Sequence, residues 1–330
     1  MRTWPRSGVG ATSGDIVSAS SASTLPAPQS PPAVLPASDT TSSGAQRGWL
    51  IASLVALYLI WGSTYLGIRW ALEGGLPPFL MSGARFVLAG GVLFGALWLR
   101  GAPVPTLRQW GSSAVVGVLL LGVGNGGLVF AQQWGVPSGV AALVVGSLPM
   151  WTALFGGLFG QWPGRPERWG LAVGFGGIVL LNLGGATGGK LLPTVAALVS
   201  PLAWAFGSMW GRRQPMPQGL MSAAAQMLCG GVAMLGFGLV MGEHVPAAMP
   251  GARAVLAWLY LVVFGSLVGY SAYGYLLRHA RPALATSYAY VNPVVAVFLG
   301  GVLAGETMRP TAWVAMGAIL GAVVLLTRKR

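Results

Sequence analysis

Asp15, Asp39, Glu73, Glu167, Glu243 and Glu306 are the only carboxylates among 330 residues, and none stands in the middle of an apolar run. Asp15 and Asp39 lie near the N-terminus, Glu167 and Glu243 in polar breaks, and Glu73 and Glu306 at the ends of runs. A carboxylate that carries protons through a bilayer is desolvated, which raises its pKa towards neutrality. Glu73 and Glu306 are the candidate proton sites by position. Each has a plainer reading: an i,i+4 pair with Arg69 for Glu73, and a solvated outer turn for Glu306. His244 and His279 are 35 residues apart with no acid beside them. Cys229, the single cysteine, sits in an apolar run and reads as a small packing residue. These residues lead us to expect no metal site, no cofactor and no catalytic group, because no nucleophile with a base stands inside an apolar run.

The neutral polar and aromatic residues are the richer set. Trp61, Ser63, Thr64 and Tyr65 fall together early in the first apolar run, and Asn125 sits in the glycine nest GVGNGG. Trp204 and Ser208 share one later run, Tyr270 and Tyr273 another. Tyr288, Tyr290 and Asn292 stand directly before Pro293. Pro149 and Pro293 each remove a helical hydrogen bond and free a carbonyl, so they read as hinges. Side chains of this kind can line a wet cavity that holds a small solute. For any one of them the alternative is helix packing, where Gly, Ser and Trp are common. Arg85 lies about a third of the way into its run without an acidic neighbour in sequence. It either binds an anion or gates a path, or it anchors the helix by snorkelling or by capping carbonyls.

The elements that must position these residues follow from composition. Charged residues make up 8% of the chain and AVILMFWYC 54%, with 52 glycines besides. An average soluble domain carries about 25% charge, so the solvent implied here is lipid. Ten runs are long enough to cross about 30 Å of hydrocarbon as helices: 50–72, 79–99, 111–132, 138–160, 168–184, 191–211, 219–241, 253–277, 283–304 and 310–327. Residues 1–46 are rich in Ser, Ala, Pro and Thr, without periodicity, and read as a disordered cytoplasmic tail or an over-long gene start. The net charge of +13 is spread between runs rather than gathered on one element, which argues against nucleic acid as a partner.

Those charges orient the chain. With the N-terminus cytoplasmic, the inner connections and C-terminus hold Arg100, Arg108, Arg165, Arg168, Arg212, Arg213, Arg278, Arg281, Arg328, Lys329 and Arg330. The outer connections hold Lys190, Arg253 and Arg309. Eleven against three places both termini in the cytoplasm of a multi-pass inner (plasma) membrane protein.

An internal repeat supports the same plan. At an offset of 144, Pro149 falls on Pro293, Gly156 and Gly157 on Gly300 and Gly301, Pro166 on Pro310, Trp169 on Trp313 and Gly177 on Gly321. At an offset of 143, Trp61 falls on Trp204. The repeats are 47–184 and 185–330. Each holds five spans, an odd number, so the second enters from the opposite side, as in many secondary transporters. The fold expected is an all-α polytopic membrane protein, ten transmembrane helices in two inverted five-helix repeats. The glycine pairs, with GxxxG at Gly156–Gly160, Gly170–Gly174 and Gly317–Gly321, predict close helix crossings.

YLIWGSTYLGIRWALEGGLPPFLMSGARFVLAGG resembles the first two helices of EamA-type members of the drug/metabolite transporter superfamily, nearest their YedA-like branch. SYAYVNPVVAVFLGGVLAGETM resembles the ninth helix, with its glycine pair and closing Gly-Glu. The resemblance covers 50–327. It departs at the end of the fourth helix, where Gly160-Gln161-Trp162 replaces the family's frequent Gly-Glu. It implies a secondary transporter that exports small metabolites, amino acids or drug-like solutes. The partners expected are the lipid bilayer and a small solute; a homodimer is compatible with the sequence. An uptake carrier or facilitator of the same fold is the alternative, with a non-transporting receptor or a membrane enzyme further behind.

Overall fold

The computed structural model of the chain describes residues 40–158, 191–280, 287–307 and 310–327, with isolated positions between 164 and 180. All regular structure among them is helical. The helices are α1 (Thr40–Glu73), α2 (Pro78–Leu99), α3 (Leu107–Gln133), α4 (Ser138–Leu158), α5 (Leu191–Gly211), α6 (Leu220–Val240), α7 (Ala252–Leu276), α8 (Tyr288–Ala304) and α9 (Pro310–Thr327). Seven of the described helices, α1 to α7, are long and apolar enough to cross a membrane, and Val291–Ala304 in α8 is a shorter apolar helix. Helical geometry starts at Thr40, inside the segment assigned to the 1–46 tail. Residues 1–39 and most of the expected span 168–184 lie outside the described residues.

Local sequence sets the helix ends. Pro78 opens α2 at a position whose N–H would be unpaired in any case. Thr106 and Gln109 form a reciprocal capping box at the start of α3. α4 is broken: Ser138–Val145 and Leu148–Leu158 are separate helical pieces, and Pro149 stands at the second residue of the later one. The helix continues through Pro293, by contrast, as α8 runs unbroken from Tyr288 to Ala304. The two sites meet in space. A Cβ on Gly146, at the break, would lie 3.3 Å from Cγ of Pro293 and 3.4 Å from the carbonyl oxygen of Ala289.

Among the described residues two segments are π-helical, and hydropathy gave no sign of either. Val118–Asn125 in α3 and Leu261–Val268 in α7 are π-helical, closed by the N–H of Gly126 on the Leu121 carbonyl and of Gly269 on the Phe264 carbonyl. Leu261 and Val268 come 143 positions after Val118 and Asn125, which is the sequence repeat again.

Glycines let these helices approach closely. A Cβ on Gly83 of α2 would lie 2.8 Å from the Gly231 carbonyl of α6, and one on Gly231 would lie 2.9 Å from the Gly83 carbonyl. α5 runs antiparallel to α3: Gly127 faces the Ala196 carbonyl, Gly124 the Ser200 carbonyl, Gly207 Leu119, and Gly211 Val116. The expected Gly317–Gly321 crossing does not appear, since a Cβ at either would meet nothing within 4 Å among the described residues. Gly300 instead makes room for a side chain, Glu306, whose Oε2 would lie 2.5 Å from a Cβ there.

Leu57, Phe86, Leu121, Met227 and Leu276 are fully buried at the centre. Leu59, Val92, Val232, Phe237, Phe298 and Val302 are exposed on the outer faces. In water such a coat would be an aggregation surface; hydrocarbon is the solvent it matches.

Candidate functional site

Trp61, on the inner face of α1, sits at the centre of an aromatic cluster. Its ring centroid lies 4.9 Å from that of Tyr288, 5.3 Å from Tyr273, 5.5 Å from Tyr270 and 6.1 Å from Trp204. Trp61 and Trp204, equivalent under the sequence repeat, therefore meet edge to face. The Trp61 indole donates to the Gly265 carbonyl at 3.1 Å, inside the π segment of α7. π-turns disturb the regular ladder and recur at functional sites, and here both are used. Gly124 and Asn125, from the α3 segment, line the same space.

That space is a cavity of about 70 Å³. Trp61, Thr64, Tyr65, Arg85, Asn125, Trp204, Tyr270, Tyr288 and Asn292 line it, nine residues that the sequence singles out, drawn from helices of both halves. Ser63, Ser208 and Tyr273 do not line it. Ser63 pairs with the Tyr260 hydroxyl at 2.6 Å and borders an outer groove beside Trp70 and Leu303. Tyr273 packs behind Trp61 and Tyr288, with its ring 5.8 Å from the latter. Ser208, one turn beyond Trp204, is half-buried. The side chain of Tyr290 lies outside the described residues.

Arg85 is 3% exposed, so it does not snorkel to water. Its Nε donates to Ser266 Oγ at 2.8 Å, and its guanidinium lies 4.7 Å from the Phe86 ring centroid. Its Nη1 is buried without a hydrogen-bond partner, as are Oδ1 of Asn125 and of Asn292. Ser266, Ser200 and Pro201 are among the participants that sequence reasoning missed, with the apolar lining residues Ile68, Leu128, Val145 and Leu148. Pro201, inside α5, carried a usable signal as a helix-interior proline. A lone serine in an apolar run carried none.

The described carboxylates, Glu73, Glu243 and Glu306, act elsewhere. Arg69 Nε donates to Glu73 at 2.7 Å, the i,i+4 pair read from the sequence. Glu306 is not a solvated turn: its side chain is 5% exposed and bonds the Arg69 guanidinium. It also accepts from the Ser138 N–H at 3.0 Å, the Ser138 hydroxyl at 2.8 Å and the Gly139 N–H at 3.3 Å, capping the N-terminus of α4. Burial pushes its carboxyl up, but the Ser138 and Gly139 donors and Arg69 outweigh that and hold it below the usual carboxylate value. Glu243 does the same for α2, accepting from the N–H groups of Phe79 at 3.0 Å and Leu80 at 2.8 Å. Both acids follow a glycine with positive φ, Gly242 at 77° and Gly305 at 62°, which turns the chain back after α6 and α8.

The model of the EamA-like transporter family matches the chain twice, over residues 48–183 and 191–328. The chain is 46% identical over 278 residues to the uncharacterized inner membrane transporter YedA of Escherichia coli (strain K12), covering 84% of this chain and 90% of that protein. It is 25% identical over 289 residues to a probable amino-acid metabolite efflux pump of Salmonella typhimurium, covering 84% and 92%. It is 27% identical over 288 residues to a probable terminal-alkyne amino-acid exporter of Streptantibioticus cattleyicolor, covering 84% and 93%. A crystal structure 20% identical in sequence shares the fold, with a TM-score of 0.60 over 86% of this chain and 97% of that one.

Proposed function

The chain belongs to the EamA-like transporter family, and on that premise we propose that it exports small metabolites, amino acids or drug-like solutes through the central cavity by alternating access. The family and its relatives make it a multi-pass inner membrane transporter rather than an enzyme. The observation that carries the finer reading is the cavity itself, formed where helices of both halves meet and lined by aromatic and polar side chains. Broken or distorted helices at a repeat interface are how such carriers build a midplane site. The paired π segments, the break in α4 and its contact with Pro293 fit that pattern.

We place ten spans in two inverted repeats, with both termini cytoplasmic and lipid and a small solute as partners. The antiparallel course of α5 against α3 supports the inversion, because α5 opens the second repeat. Export is favoured by two relatives, a probable efflux pump and a probable exporter; uptake by the same fold is the second reading. The test is release of labelled amino acids and small aromatic compounds from cells with and without the gene, and with Trp61→Ala. Faster release that Trp61→Ala abolishes, with the protein still in the membrane, is the expected result. Accumulation instead of release would favour uptake.

A further inference from the structure

The central cavity holds one charged side chain among its described lining, Arg85, and no carboxylate. The described carboxylates are engaged at helix ends: Glu73 and Glu306 with Arg69, and Glu243 with the start of α2. Arg85 is thus a buried cation without an acidic counter-charge among the described residues. Ser266 takes one of its donors and the Phe86 ring lies against its guanidinium; Nη1 is buried without a partner, and Arg85 is one of the residues that line the cavity. A guanidinium kept in low dielectric with a free donor is costly unless something fills it. Its planar fork matches a carboxylate or a phosphate in two-point geometry, and a lone cation balances the single charge of a carboxylate rather than a phosphate dianion.

We propose that Arg85 anchors the carboxylate of the transported solute, so that the substrates are small organic acids, α-amino acids included, rather than neutral or cationic compounds. The rest of the wall fits such a molecule. The unpaired amide oxygens of Asn125 and Asn292 accept from an ammonium or hydroxyl group, and the Trp61, Tyr270 and Tyr288 rings cover an apolar body. The inference rests on the reading of this cavity as the solute site.

The test uses the purified full chain in detergent and matched pairs that differ only in charge: L-leucine with L-leucinamide, and benzoate with benzamide. Binding is followed by quenching of intrinsic tryptophan fluorescence, to which Trp61 and Trp204 contribute from the cavity wall. The acid of at least one pair is expected to bind about tenfold more tightly than its amide, the difference made by one hydrogen bond between charged groups. Arg85→Gln removes that preference, and Arg85→Lys, a point charge without the fork, keeps part of it. Equal binding of acid and amide, or a preference that survives in Arg85→Gln, overturns the carboxylate anchor and leaves the cavity as the solute site. Binding of neither member of either pair overturns both. Should Arg85→Gln fail to fold, the acid–amide comparison in the parent decides alone.

Discussion

At the residue scale, the polar side chains divide into a central set and a set at one end of the helices. The central set is legible in the sequence because Trp61, Arg85, Asn125 and Asn292 are conspicuous in runs otherwise made of Leu, Val, Ala and Gly. Ser266 is not, since a serine in such a run packs as easily as it binds. The role of Glu306 is illegible for another reason: its hydrogen-bond partner Ser138 is 168 positions away, and no local pattern encodes that pairing. Because the folded protein holds Glu306 below the usual carboxylate value, its ionised form favours folding. That contribution is whole above roughly pH 5, where the unfolded carboxylate is also ionised. It is lost as pH falls through the lower folded value. Glu306→Gln should therefore cost about 2 kcal/mol at pH 7, the scale of a buried hydrogen bond to a charged group. In thermal unfolding of the purified protein the gap between parent and variant should close as pH is lowered towards 3. A gap that stays constant over that range would show that the carboxylate is not the group responsible.

At the element scale, hydropathy makes the helices legible and leaves their distortions and contacts hidden. VLLLGVGN and LVVFGSLV read as ordinary apolar helix, yet both are π-helical; the 143-position offset becomes informative only once one of the two is known. Small-residue spacing proved equally indirect. Gly317 and Gly321 fit GxxxG but meet nothing within 4 Å among the described residues, whereas the tight crossing of α2 on α6 uses Gly83 and Gly231. Spacing along one helix does not say which face meets a partner. α2 offers a paired test. At Gly83 a methyl group would meet backbone atoms of Gly231 and Leu235 at 2.8 Å, which can yield only if the helices separate. Gly91, eight residues on, is exposed and has nothing within 4 Å of its Cβ position. Gly83→Ala is expected to destabilise by about 1–3 kcal/mol through overpacking. Gly91→Ala should be neutral or slightly stabilising, because alanine restricts the unfolded chain more than glycine does. Thermal unfolding of both variants checks the pair, and equal effects would mean that α2 and α6 do not cross at Gly83.

At the scale of the whole molecule, side-chain contacts sort the helix ends into two groups. Glu243 ties the end of α6 to the start of α2, Glu306 ties the end of α8 to the start of α4, and Arg69, near the end of α1, joins Glu306. On the other side, Tyr58 pairs with Ser287 just before α8 at 2.6 Å, and Gln109 at the start of α3 reaches the Met216 carbonyl between α5 and α6 at 3.4 Å. Arg100 after α2, Arg108 in the first turn of α3, and Arg212 and Arg213 after α5 belong to this second group of ends. Arg253, opening α7, belongs to the first, where Gly74 after α1 lies against Ala254; its guanidinium stacks 4.4 Å from the Trp70 ring centroid. Positive charge in short connections stays cytoplasmic during insertion, and on that ground we propose that the side bearing Arg100, Arg108, Arg212 and Arg213 is the inner one. The acids that cap α2 and α4 then face outward. On that proposal α1 starts inside and α5 outside, which requires an odd number of spans before Lys190. A reporter fused after Arg330 should be active only as a cytoplasmic marker. One inserted between Gly184 and Lys190 should be active only as a periplasmic marker. A cytoplasmic signal at the second position would leave an even number of spans before α5 and end the inverted arrangement, whatever the first position reports.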